Sequence, residues 1–129
     1  LEQALNYLRD DQTLRAQALG ALASAHLKAG DPSQAKQHLL ELIATHPNEI
    51  ELTLKAYGTL VKRAVEQGAA RDVEQHIRDL EAYAQTIIRS HQLGQYPLLP
   101  RRMAQILSLA GRHAAARQWA QRKPKQDQQ

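Results

Sequence analysis

Residues 16–47 read AQALGALASAHLKAGDPSQAKQHLLELIATHP, and their spacing decides the fold. Before the central Gly30-Asp31, Leu19, Leu22, Ala23 and His26 recur at helical offsets and share one face. After it, Ala35, Leu39 and Leu42 share a second face, and Pro47 closes the unit. A glycine between two apolar-periodic segments marks a tight αα-hairpin, because the chain must pass through a left-handed conformation to reverse. Ala23 and Ala35 stand where the two helices approach, while Leu22, Leu39 and Leu42 are expected to fill the interface.

The same punctuation returns along the chain. Gly68 and Gly111 each follow an apolar-periodic helix and precede another, at spacings of 38 and 43 residues from one glycine to the next. Asp31 reads as an N-cap, with Pro32 in the first turn and Gln34 completing a capping box. Asn48 and Glu51 repeat that arrangement for the following helix, whose stripe is Ile50, Leu54, Tyr57, Val61 and Ala64, widened by Leu60. After Gly68, Val73, Ile77, Leu80, Ala84 and Ile87 hold a stripe through about five turns, ending near Gly94. Leu93–Leu99 carries Gly94 and Pro97 and is the main loop. Pro100 suits the first turn of a helix with Met103, Ile106, Leu107 and Ala110, and Gly111 leads to a last short helix containing Ala116 and Ala120. With a leading half-hairpin at Leu1, Ala4, Leu5 and Leu8, the count is about seven helices.

Composition agrees with an all-α domain. The 129 residues are 43% hydrophobic, enough for one continuous core, and contain no Phe and few Val or Ile. Zero Cys excludes disulfides and thiolate metal sites and leaves the compartment open. No run reaches the roughly 18 apolar residues of a membrane span. The chain begins inside a helical pattern and reads as a piece of a longer or processed protein, cytoplasmic or, if anchored or secreted, periplasmic. The net charge is +4, of which Arg122, Lys123 and Lys125 against Asp127 supply two. Residues 123–129 read as a disordered polar and basic tail beyond a domain of residues 1–122.

The hairpins resemble tetratricopeptide repeats, antiparallel helix pairs in which small residues mark the crossings. In the second hairpin Tyr57, Leu60, Ala64, Ile77 and Leu80 fit that pattern, but Val61 and Val73 replace small residues; the third keeps Met103, Ala104, Leu107 and Ala116. His26 stands for the usual tyrosine and Leu19 for the usual tryptophan. The glycine spacings exceed the family's period of about 34. The resemblance implies a right-handed α-solenoid that binds proteins, without enzymatic activity or a cofactor, within a larger bacterial assembly.

The chemistry-bearing residues point the same way. None of His26, His38, His46, His76, His91 and His113 lies three or four residues from another, so no helical face offers a two-His metal site. Solvated histidines, with His26 partly packed, are expected. Ser33 and Lys36 form a Ser-x-x-Lys beside a helix cap without its companion motifs, and phosphate-loop, dinucleotide and nucleophile-elbow patterns are missing. Tyr96 either contacts a partner from the loop or packs on the adjacent hairpin. Trp119 is expected to cap the core.

In a stacked αα-solenoid the first helix of each hairpin lines a concave face. Helical phase assigns to it Gln17, Ser24 and Lys28, then Lys55, Thr59, Lys62 and Glu66, then Arg101, Arg102 and Gln105. Five cations face a single carboxylate there. The family's chaperone-binding members clamp a terminal carboxylate with lysine, asparagine and arginine on these helices. Lys62 with Arg101 or Arg102 supplies the cations, whereas Ser24 and Thr59 stand at faces where asparagines would be needed. The resemblance thus implies a protein or peptide partner, acidic or with a free C-terminus. The rival readings are nucleic-acid binding through the tail and Arg101-Arg102, and oligomerisation through the long helix ending near Ile88.

Overall fold

The computed structural model describes the backbone of residues 2–90 and 96–121, with side chains from residue 11 onward. Six helices follow one another: α1 (Glu2–Lys28), α2 (Pro32–Thr45), α3 (Ile50–Glu66), α4 (Ala70–Arg89), α5 (Leu99–Leu109) and α6 (His113–Ala120). Among the described residues there is no strand. The expected count of seven is corrected to six, because the leading half-hairpin is continuous with the helix after it. Neither Gly nor Pro interrupts residues 2–19, and Arg15 pairs with Asp11 one turn back at 3.0 Å, across the point where a break was expected. His91, Gly94 and most of the expected loop lie outside the described residues. Leu99, placed in that loop by the sequence, is already helical.

Three turns share one construction. Gly30, Gly68 and Gly111 have φ of 80°, 67° and 76°. Each glycine N–H bonds a carbonyl three residues back, and the next N–H bonds one five residues back: Asp31 to His26 at 2.8 Å, Ala69 to Ala64 at 2.9 Å and Arg112 to Leu107 at 2.8 Å. This pair of bonds closes a helix C-terminus on its own orphan carbonyls. Nothing lies within 4 Å of a Cβ added at any of the three, so backbone strain alone selects glycine. The residue after each glycine then starts the next helix. Its carbonyl accepts the first α-helical bond, from Ala35, Val73 and Ala116 respectively.

The caps explain two further departures. Asp31 Oδ1 accepts from the Gln34 N–H at 3.2 Å, as expected of an N-cap. The reciprocal half of the box is not available, since the Asp31 N–H is already bonded to His26. At α3 the cap is Glu49 rather than Asn48, because the Glu49 carbonyl receives the Thr53 N–H at 2.9 Å. The Glu49 carboxylate is held by the Thr13 hydroxyl, which donates at 2.5 Å.

The chain divides into two compact units, the first ending at Leu60 and the second beginning at Val61. In the first, α1 packs on α2. Its core joins Leu19 and Ala23 of α1, Ala35, Leu39 and Leu42 of α2, and Ala56 and Leu60 of α3. Thr53 is fully buried and donates its hydroxyl at 3.0 Å to the His46 carbonyl, which also accepts from the Glu49 N–H at 3.1 Å. Leu22 does not join this core: it is 45% exposed, at the margin of the stripe that Leu19 and Ala23 bury. In the second unit α5 packs on α6, and Met103, Ile106, Leu107, Ala116 and Trp119 are buried. Buried Ile77, Leu80, Ala84 and Ile87 give α4 one apolar face. Glu74 of α4 pairs with Arg112, the residue that opens α6.

Candidate functional site

The first unit contains a cleft of about 290 Å3 walled by α1 and α3, with α2 beneath. Its floor is apolar, formed by Leu27, Leu39, Leu42 and Leu52. Its rim carries Gln17 and Ser24 from α1 and Lys55 and Thr59 from α3. These four are among the residues that helical phase assigned to an inner face. The offsets of seven on α1 and four on α3 explain why: each pair lies along one side of its helix. Thr59 turns its hydroxyl to the Lys55 carbonyl at 3.1 Å, a bond that fixes its rotamer against the helix. Lys55 is the one charged side chain lining the cleft, and among the described residues no carboxylate lines it.

Room in the cleft comes partly from a residue that sequence reasoning passed over. Gly20 sits in the interior of α1, where glycine costs about 0.5–1 kcal/mol relative to alanine. A Cβ there would meet only Leu42 Cδ1, at 3.9 Å, which is ordinary contact. Packing therefore does not demand the glycine. An interior helical glycine with no turn nearby was the available signal. The floor leucines were legible as core, but not as the bottom of an opening.

The other expected site residues are distributed differently. Lys28 is exposed at the end of α1 and does not line the cleft. In the second unit Arg101 and Gln105 line a shallow depression together with Pro97, Pro100, Leu109 and Ala120. Arg101 is its one charged side chain. Arg102 is half-buried and directs Nη1 to Gln105 Oε1 at 3.5 Å, and Lys62 is exposed on α3; neither lines that depression. Arg122, Lys123 and Lys125 lie outside the described residues.

The histidines are not the solvated set that the sequence suggested. His46 and His76 are each 8% exposed, His26 and His38 stack with ring centroids 5.1 Å apart, and only His113 of the five described is exposed. The stack forms because His26 lies near the end of α1 and His38 in α2, brought together across the Gly30 turn. Among the described residues no three His, Asp or Glu side chains gather as a metal would require, and no helix is long and apolar enough to cross a membrane. Tyr96 is half-buried with its hydroxyl shielded from solvent, and Trp119 is 5% exposed, so both pack inward.

No protein-family model matches the chain, and neither curated proteins nor solved structures show significant similarity to it.

Proposed function

We propose that the chain is a non-enzymatic binding module of the tetratricopeptide-like type, which captures an acidic segment of a partner protein. The observation that carries this reading is the cleft of the first unit. An apolar floor accepts an aliphatic side chain, and Lys55 with hydroxyl and amide groups at the rim receives a carboxylate and backbone groups. This is the usual composition of a specific binding pocket, mostly apolar with a few placed polar groups. A pre-formed cleft between helices loses little entropy on binding, so modest contacts suffice for affinity. Three turns of one construction, each joining two successive helices, support the repeat reading.

Selection of random short peptides on the immobilised protein tests the proposal. The enriched sequences should pair Asp or Glu with Leu, Ile or Val. Lys55→Glu should lose them. Alanine substitution of Arg122, Lys123 and Lys125 together should leave binding nearly unchanged. Loss of binding only in the tail variant, with steep salt dependence, would instead favour nucleic acid.

A further inference from the structure

The outer face of α1, whose Ala21 borders the cleft, carries a further observation. A helix on the surface of a globular unit carries one apolar stripe toward the core, and a second apolar stripe on its outer side is a further packing face. α1 buries Ala16, Leu19 and Ala23 on its inner side. On the opposite side Leu14, Ala18, Ala21 and Ala25 are all exposed, Leu14 by 63%. α4, the helix that sequence length suggested for self-association, has no such second face: opposite its buried stripe stand Arg71, Arg78, Glu81 and Gln85, all exposed.

The outer residues of α1 follow a heptad. Asp11, Leu14, Ala18, Ala21, Ala25 and Lys28 are spaced alternately by three and four, the period of a helix–helix seam. Reversed, the series reads Lys28, Ala25, Ala21, Ala18, Leu14, Asp11. Laid antiparallel on itself, it places Asp11 opposite Lys28, Leu14 opposite Ala25 and Ala18 opposite Ala21, and the second half repeats these pairs by symmetry. Opposite charges close both ends, each leucine faces a small residue, and the centre is alanine against alanine, which permits close approach. A two-fold interface requires this self-complementarity. We propose that α1 pairs antiparallel with α1 of a second copy of this chain, in this register. Asp11 already accepts from Arg15 of its own helix, so its carboxylate bridges the two helices.

Sedimentation equilibrium on the full chain, with circular dichroism as the check on folding, decides it. The mass of the wild type should rise with concentration from 14.5 kDa toward twice that value. Leu14→Arg should abolish the rise while leaving helix content intact. Asp11→Lys and Lys28→Glu should each weaken association roughly tenfold, since each breaks both symmetric end pairs. The combined Asp11→Lys/Lys28→Glu variant should restore it, which no general surface effect would do. A wild type that remains at 14.5 kDa at every concentration overturns the proposal. So does a dimer indifferent to Leu14→Arg, or a double variant as weak as its parents.

Discussion

Gly20 and Gly30 occupy helix and turn, and opposite consequences follow from replacing them. At Gly20 the backbone is helical and the space above it is open, so Gly20→Ala should raise stability by about 0.5–1 kcal/mol. The added methyl projects toward Leu42 and narrows the cleft. Urea unfolding, alongside peptide binding, should therefore report a more stable protein that binds less. At Gly30 the backbone sits at φ 80°, and Gly30→Ala should cost about 1–2 kcal/mol by strain alone. Equal unfolding midpoints for Gly30→Ala and wild type would contradict the left-handed turn. Thr53 sets a third case: Thr53→Val removes one of two donors to the His46 carbonyl, which keeps its bond from the Glu49 N–H, so the cost should be about 0.5–1.5 kcal/mol. Chemical denaturation of that variant measures the loss directly.

Among the elements, the α1–α2 hairpin is the one most fully legible in the sequence. Its glycine, its Asp31 cap and its small crossing residues all stand where periodicity placed them, because these features depend on neighbours within a few turns. Ala23 and Ala35 are 2% and 1% exposed, so Ala23→Trp or Ala35→Trp should overpack the crossing by about 1–3 kcal/mol or more. Thermal melting read by circular dichroism checks this, and native melting curves for both would deny the close approach. What periodicity misjudged were boundaries and edges. Leu22 lies at the margin of the apolar stripe, where a rotation of a few tens of degrees separates core from solvent. The merged first helix lacks any breaker between residues 2 and 19, and the exposed Asp11–Arg15 pair adds only about 0.3–0.5 kcal/mol to it. The N-cap of α3 falls one residue later than expected, at Glu49, whose side chain also meets the distant Thr13 hydroxyl.

At the scale of the whole molecule, the rim of the cleft was legible and its floor was not. Gln17, Ser24, Lys55 and Thr59 follow from helical phase, which needs only the sequence. Which leucines leave an opening depends on how three helices meet, and phase does not encode that. Lys28 was assigned by the phase of α1, yet its neighbour Leu27 and not Lys28 lines the cleft. The histidines were misjudged for the same reason: burial of His46 and stacking of His26 on His38 arise from turns between helices. Two-dimensional amide NMR of the protein, titrated with an acidic-aliphatic peptide enriched on it, tests the binding claim most directly. The account predicts saturable shifts centred on Gly20, Ser24, Lys55 and Thr59, abolished by Lys55→Glu with the remaining spectrum preserved. Shifts confined to other surfaces, or none at saturating peptide, would contradict it.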